Sequence, residues 1–239
     1  MTLEHGHTAE EIRARLAEDR KPSYVRDWVY GGIDGAITTF AIVAGVVGAA
    51  LSSKVIVILG LANLLADGFS MAASNYSGTK AEVDDYARLR EIERKHIDKT
   101  PEGEREEIRQ ILLAKGLSGD ALEEAVTAIT SSENTWIETM LTEEYGLSRV
   151  QRAPLLSGAS TFAAFLLCGA VPLMPYLLSV DGAFVFAVVM TAVVFFVIGA
   201  LKARWSLSSW WASGLETLSV GLLAASASFA VGFLLRDLV

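Results

Sequence analysis

The sequence predicts an all-α membrane protein with five transmembrane helices and a three-helix cytoplasmic insert between the second and third of them. Hydrophobic residues make up 52% of the 239-residue chain, more than a soluble domain of this length usually carries. They fall into five long blocks, each near the roughly 20 residues that a helix needs to cross a bilayer core of about 30 Å. The blocks are residues 29–51, 55–77, 154–178, 182–203 and 211–235.

The distribution of positive charge gives the expected orientation of the spans. Eleven of the twenty Lys and Arg residues lie between spans two and three and five precede span one, whereas the opposite side has Lys54 and Arg236. Because cytoplasmic loops are enriched in Lys and Arg, we expect the N-terminus and the insert in the cytoplasm and the C-terminus outside. We expect the plasma (inner) membrane of a prokaryote, which suits a compact chain without a long targeting extension, and a eukaryotic vacuolar membrane would keep the same topology.

Four segments follow from these blocks and charges. The net charge of −8 argues against a nucleic-acid partner, and the five apolar blocks make the lipid membrane the expected environment. The segments are a cytoplasmic N-terminal arm (1–27), transmembrane helices one and two (28–77), a cytoplasmic helical metal-binding domain (78–150) and transmembrane helices three to five (151–239).

The insert has helical patterns and turn residues throughout. The charged run after span two contains no helix breaker, so we expect one long helix to continue out of the membrane. Pro101 suits the first turn of the next helix, which Gly116 ends. A further helix starts at Ser118 or Asp120, and a last one ends at Gly146.

An acid, Asp34, lies inside the first hydrophobic block, where a charged side chain is costly. If the outer turn of the first hairpin centres on residues 52–53, equal helix rise on both sides places Asp34 level with Met71. The same geometry places Thr38 level with Asp67, one turn deeper. We therefore expect polar groups of spans one and two to meet inside the membrane.

Span two offers further donors on one face, since Asn63, Asp67 and Met71 are spaced four residues apart. Two acids and a thioether at matched depth favour a cation path over separate roles in anchoring, hydrogen bonding and packing. Oxygen donors suit Mg, Ca or Mn, and a thioether adds preference for a softer ion such as Fe²⁺. Glu216, one turn into span five, either joins this path or reaches the interface, and the sequence leaves both open.

Three helices of the insert each carry two possible metal donors one helical turn apart. The pairs are Glu93 with His96, Glu104 with Glu107, and Met140 with Glu144. Any single pair is more typical of a solvated helix face or a surface ion pair. Three pairs on adjoining helices support a metal site and solvated faces about equally.

The stretches GGIDGAITTFAIVAGVVGA in span one, ADGFSMAASNY in span two and E-x-x-H...P-x-x-E-x-x-E in the insert resemble the vacuolar iron transporter family. The resemblance covers nearly all of the chain after the N-terminal arm. Members of this family have five spans and a three-helix cytoplasmic metal-binding domain between spans two and three. The resemblance implies translocation roles for Asp34 and Met71. It implies metal-domain ligands at Glu93, Glu104, Glu107, Met140 and Glu144.

Three positions depart from the family's pattern. His96 stands where a glutamate is usual, and Leu141 follows Met140 where a second methionine can occur. Asn63 stands where some relatives have an acid in the pathway. Because histidine is a competent ligand for iron, zinc or manganese, the departures bear on metal preference more than on metal binding.

The resemblance also implies a homodimer whose pathway lies between the two first spans. A two-fold axis there would bring two copies of Asp34 and Met71 together. Paired carboxylates would not both ionise readily, so one would hold a proton until a cation replaced it. We expect a transporter and not an enzyme, exporting ferrous iron or manganese from the cytoplasm in exchange for protons. No prosthetic group is expected, and the bound ion is the substrate, Fe²⁺ with Mn²⁺ or Zn²⁺ as alternatives.

Two other functions stay open on the sequence. The first is a membrane-anchored, ferritin-like protein that binds or oxidises metal, and the second is a metal sensor that does not transport. A ferritin-like di-iron site needs four helices with two Glu-x-x-His elements, and this insert offers one, at Glu93 and His96. A simple anchor, moreover, has no use for Asp67 near mid-bilayer.

Overall fold

The computed structural model describes residues 6–18 and 21–238, and within them it contains helices and no strand, which confirms the all-α class. The helices, labelled in chain order, are α1 (Ala9–Ala17), α2 (Val25–Gly48), α3 (Ser53–Lys99), α4 (Pro101–Ala114), α5 (Gly119–Thr130), α6 (Glu133–Glu143), α7 (Pro154–Ala170), α8 (Met174–Leu177), α9 (Ala183–Lys202) and α10 (Trp210–Leu235). Single 3₁₀ turns at Val171–Leu173, Ala203–Trp205 and Arg236–Leu238 extend α7, α9 and α10.

Five helical segments of the described chain are long and apolar enough to cross a membrane, which confirms the five predicted spans. Four of them are Val25–Gly48, Pro154–Leu177, Ala183–Trp205 and Trp210–Leu238, and the fifth is the apolar part of Ser53–Lys99. The segment Ser53–Lys99 also confirms the predicted long helix, since α3 continues without interruption for 47 residues.

The described residues divide into two compact units. The membrane unit consists of Tyr24–Lys80 and the described part of Ala153–Val239. The insert unit consists of the described part of Met1–Ser23 with Ala81–Arg152. Helix α3 contributes its first half to the membrane unit and its second half to the insert unit.

Helix α2 is the central helix of the membrane unit and packs against α7, α9 and α10. Glycines make these approaches possible, as expected for contacts between membrane helices. A Cβ atom at Gly35 would collide with the backbone of Phe165, and one at Gly232 would collide with the backbone of Gly45. The backbones of α2, α7 and α10 are therefore in direct contact at these points.

The predicted turns of the insert unit are present. Pro101 occupies the first turn of α4, and Gly116 and Gly146 have φ angles of +92° and +66°, which favour glycine. Ser118 is the N-cap residue of α5, although its side chain makes no capping hydrogen bond. Helices α4 to α6 enclose an apolar core of Ile108, Leu122, Val126, Trp136 and Met140.

Candidate metal site and ion pathway

Three of the predicted insert ligands meet at the junction of α3 and α4. Thr100 alone separates the two helices, so the end of α3, with Glu93 and His96, adjoins the first turn of α4, with Glu104. One ligand atom from each of the three side chains lies within 4.8 Å of the other two. Nδ1 of His96 is 3.3 Å from Oε1 of Glu104. The arrangement brings two oxygens and a nitrogen to one point.

The two acids of this cluster are buried, whereas His96 is exposed. Glu93 and Glu104 are only 1% and 4% exposed. The hydroxyl of Tyr145 donates a hydrogen bond of 2.9 Å to Oε1 of Glu93. Oε2 of Glu93 and Oε2 of Glu104 have no donor among the described residues. A buried carboxylate without a partner is costly, so the cluster favours a proton or a cation between the acids.

The electrostatics of the cluster point the same way. Burial raises the pKa of Glu104 to about 7, and repulsion from Glu107 and then Glu93 adds to the effect. A proton on one of the two carboxyls would let it donate a hydrogen bond to the other, which further favours the protonated form of Glu104. Burial also raises the pKa of Glu144, with further contributions from Glu93 and Glu107. A divalent cation would relieve this repulsion by displacing the protons.

The other predicted ligands lie beside this cluster. Glu107, Met140 and Glu144 line a cavity of about 270 Å³, together with Glu106, Gln110 and Ile111. Met140 is fully buried and belongs to the apolar core of α4 to α6. It therefore has a packing role whether or not its sulfur binds metal. Carboxylate, imidazole and thioether donors together suit Fe²⁺, Mn²⁺ or Zn²⁺.

Tyr145 is a site residue that the sequence analysis missed. Its hydroxyl holds Glu93 in place, and burial together with this bond raises the pKa of the phenol. Its only signal in the sequence is that it follows Glu144. That signal is weak, because adjacent helical residues point about 100° apart.

In the membrane unit the polar residues of α2 and α3 face each other, but one helical turn away from the predicted register. Nδ2 of Asn63 donates a hydrogen bond of 3.2 Å to Oγ1 of Thr38. Asp34 lies one helical turn before Thr38, and Asp67 lies one turn after Asn63, so the two acids lie opposite each other in this antiparallel pair. The prediction that Asp34 lies level with Met71 and Thr38 with Asp67 is therefore wrong. Met71 is half-buried and packs against the apolar core of the membrane unit.

The position of the hairpin turn explains the shift. Helix α2 ends at Gly48, and Ala50 adopts a left-handed conformation with φ of +56°. The turn therefore lies at residues 49–52, ahead of the predicted centre at 52–53. Each residue by which the centre of an antiparallel hairpin moves changes the pairing by two residues. Asp67 thus replaces Met71 opposite Asp34.

A second polar pair, also missed by the sequence analysis, lies on the same two faces. Nδ2 of Asn75 donates a hydrogen bond of 2.9 Å to Oδ1 of Asp27 and one of 2.7 Å to Oγ1 of Thr161. Asp27 is 1% exposed and precedes Asp34 by seven residues. Asn75 continues the four-residue spacing of Asn63, Asp67 and Met71. Both spacings place the new pair in line with the predicted pathway.

Glu216 lies at the surface of the membrane unit. Its side chain is 68% exposed, and Oε2 is 3.6 Å from Nζ of Lys202 at the end of α9. Of the two alternatives left open by the sequence, this ion pair favours a position at the membrane interface.

Comparison with known proteins matches nearly the whole chain. A model of the VIT family matches residues 25–233, which include the first four spans, the insert and most of the fifth span. Vacuolar iron transporter 1 of Arabidopsis thaliana is 34% identical over 211 residues, covering 87% of this chain and 84% of that protein. Vacuolar iron transporter 2 of Oryza sativa subsp. japonica is 33% identical over 210 residues, covering 87% and 85%. The vacuolar iron transporter of Toxoplasma gondii is 31% identical over 228 residues, covering 90% and 76%.

Proposed function

The chain belongs to the VIT family, and we propose that it exports ferrous iron from the cytoplasm in exchange for protons, with manganese as the alternative cargo. Members of the family are transporters and not enzymes. The chain is accordingly a multi-pass membrane protein that transports metal ions. The identity of the ion, the direction and the coupling to protons are our proposal, and each has its own support.

The single observation that carries the proposal is the cluster of Glu93, His96 and Glu104. Two buried acids face each other with one oxygen each lacking a donor among the described residues. Such a cluster costs free energy in the absence of a bound proton or cation. We propose that the insert captures metal here and in the adjacent cavity, which adds Glu107, Met140 and Glu144 as ligands.

Ferrous iron is the favoured cargo because the donors are mixed. Carboxylates alone would suit Mg²⁺ or Ca²⁺, whereas the imidazole of His96 and the thioethers of Met71 and Met140 favour softer transition-metal ions. The relatives are named for iron. Manganese and zinc are competent with the same donors, so they are the ions to compare.

Proton exchange is supported by the two acids inside the spans. Asp34 and Asp67 lie opposite each other in the register given by the Asn63–Thr38 hydrogen bond, and two neighbouring carboxylates do not both ionise readily. One of them would hold a proton until a cation arrived, and its release would couple the two fluxes. In the homodimer that we propose, a two-fold axis along α2 would bring a second pair of these acids to the same path.

The direction follows from the proposed orientation. Eleven Lys and Arg residues between spans two and three favour a cytoplasmic insert, and the N-terminus is on the same side. Metal captured there would leave the cytoplasm. In a prokaryotic plasma membrane, which we favour, the ion would be released outside the cell, and in a vacuolar membrane into the vacuole.

Uptake by reconstituted liposomes tests this function. Fe²⁺, Mn²⁺ and Zn²⁺ are offered separately, with and without an imposed pH gradient, and protein-free liposomes serve as the control. We expect uptake that is fastest for Fe²⁺ and that falls when a proton ionophore collapses the gradient. Uptake insensitive to the gradient would contradict proton exchange, and no uptake of any of the three ions would contradict transport.

A further inference from the structure

A deep apolar groove of about 610 Å³ opens on the side of α2 that faces away from Asp34. Trp28 and Val29 of α2 line it. At about 100° per residue, Val25 and Val29, which both line the groove, point about 140° to 180° away from Asp34 and Thr38 around the helix. The groove is therefore separate from the ion pathway.

The groove is about as long as one leaflet of a bilayer is thick. Its α9 wall runs from Val193 to Lys202, and the nine helical steps between them span about 14 Å at about 1.5 Å per residue. Half of a hydrocarbon core of about 30 Å is nearly the same length. Val193, Val197 and Cys168 are among the side chains that line it, and its surface is almost entirely apolar. A single acyl chain matches this length and surface.

One end of the groove is polar and carries a lysine side chain. Lys202 lies there in the last turn of α9, with Tyr24 and Trp205 also in the lining. Tyrosine and tryptophan side chains are typical of the level of lipid headgroups. Nζ of Lys202 contacts Glu216 at 3.6 Å in a partly exposed pair, which contributes little stability. The ammonium group can therefore still donate hydrogen bonds to a phosphate.

We propose that this groove binds an anionic phospholipid, with one acyl chain between α2 and α9 and the phosphate at Lys202. The apolar wall and its length select a lipid chain, and the cation at the end selects an anionic headgroup. A lipid held there packs against the back of the helix that carries Asp34. It supports the position of α2 from the side opposite the pathway.

Cys168 is the only cysteine of the chain and lines the groove, so it reports on occupancy. The protein is placed in nanodiscs of phosphatidylcholine, with or without phosphatidylglycerol of the same acyl chains, and the rate of its reaction with N-ethylmaleimide is measured. We expect a several-fold slower reaction when phosphatidylglycerol is present. Lys202→Gln should abolish this difference between the two lipid mixtures.

A substitution that fills the groove provides a second, direct measurement. Val193 and Val189 are both 56% exposed on α9, but only Val193 lines the groove. Native mass spectrometry should show phosphatidylglycerol retained by wild type and by Val189→Phe, and lost from Val193→Phe. Comparison of the two phenylalanine variants separates filling of the groove from the general effect of adding an aromatic ring to α9.

Three results would overturn the proposal. Equal Cys168 rates in the two lipid mixtures for wild type would mean that no anionic lipid is selected. A difference that persists in Lys202→Gln would exclude this side chain as the headgroup site. A change of oligomeric state in Val193→Phe but not in Val189→Phe would mean that a second copy of the chain covers the groove. If Val193→Phe does not fold, wild type and Lys202→Gln decide the question.

Discussion

His96, near the end of α3, and Glu104, in the first turn of α4, place Nδ1 and Oε1 within 3.3 Å of each other. The imidazole is exposed and the carboxyl is buried, and a carboxylate oxygen of Glu93 lies within 4.8 Å of both. A proton shared within this group satisfies it when no metal is bound. A divalent cation would need the same atoms as ligands, so proton release and metal capture compete at one position.

Glu104→Gln is expected to weaken metal binding by the full-length protein by on the order of tenfold or more, which corresponds to about 1.4 kcal/mol. The amide keeps the size of the side chain but removes a charged ligand. The measurement is calorimetric titration with Mn²⁺, an air-stable surrogate for Fe²⁺. Glu102→Gln, an exposed acid of the same helix, is the matched control and should bind as wild type does. Equal affinities for the two variants would exclude Glu104 as a ligand.

Metal affinity is also expected to fall as the pH is lowered through about 7. Glu104 has a pKa near 7, so below that pH a proton occupies the position that the cation needs. Titrations with Mn²⁺ at several pH values measure this effect. In Glu104→Gln the remaining affinity should depend less on pH across the same range, and an unchanged pH profile would contradict the assignment.

The stability of the metal-free protein should depend on pH in the opposite direction. The pKa of Glu104 is higher in the folded state than its ordinary value of 4.5, so the native protein binds more protons than the unfolded chain between these values. The stabilisation that the protonated Glu104 carboxyl gives to the folded state is complete below about pH 4.5 and is lost as the pH rises to about 7. The melting temperatures of wild type and of Glu104→Gln are measured with a chelator present at several pH values. The difference between the two isolates the effect of this carboxyl group. A difference that grows in favour of wild type as the pH rises would refute the prediction.

Met140 has two roles that substitutions can separate. Met140→Ala should destabilise the insert by about 2–5 kcal/mol, because the side chain is fully buried in its core. Met140→Leu nearly conserves the volume and should cost less than about 1.5 kcal/mol. If the sulfur is a ligand, the leucine variant keeps its melting temperature but prefers Mn²⁺ over softer ions more than wild type does. Unchanged ion preference would leave Met140 with packing alone.

Much of the fold could be predicted because its signals are local. The length of each apolar block predicts a span, the uninterrupted charged run predicts the long helix α3, and Pro101 and Gly116 mark the ends of α4. The hairpin register could not be predicted in this way. Its turn depends on Ala50 with φ of +56°, and alanine gives no signal for a left-handed residue, whereas residues 52–53 are serines.

The candidate site was predictable where ligands recur at a helical spacing, as Glu93 and His96 do. It was not predictable where a role depends on distant residues. In the sequence, Asp27 is an ordinary acid at the start of a helix. In the structure it accepts a hydrogen bond from Asn75, which is 48 residues further along the chain. Asn75 in turn donates to Thr161, a further 86 residues away. Nothing local in the sequence indicates these contacts.

Asp27→Asn is expected to slow metal flux in liposomes several-fold while the protein still folds. The acid is buried in line with Asp34 and accepts a hydrogen bond from Asn75, and asparagine keeps the size and one acceptor oxygen. Transport at wild-type rate would restrict Asp27 to a structural role. Binding of Mn²⁺ to the insert should be unchanged, since the substitution lies in the membrane unit.

Asp34 gives the most direct test of coupling. If this acid only reached the interface, Asp34→Asn would remove a charge that is costly to bury and would leave transport largely intact. If it alternates between proton and metal, asparagine keeps the size and a carbonyl donor but cannot ionise, so flux should collapse. The position of Asp67 opposite Asp34 favours the second outcome, because two neighbouring carboxyl groups do not both ionise readily.

The measurement is metal flux against an imposed pH gradient for wild type, Asp34→Asn and Met71→Ala. Met71→Ala should reduce flux less completely, since loss of a thioether weakens ion selection and leaves the carboxyl groups in place. Asp181→Asn, an exposed acid in the loop between α8 and α9, is the charge-matched control and should transport normally. Because the register places Asp67 opposite Asp34, Asp67→Asn should resemble Asp34→Asn more closely than Met71→Ala does. Wild-type flux from Asp34→Asn would show that this carboxyl is not the coupling group, and the proton would then have to be carried by Asp67 or Asp27.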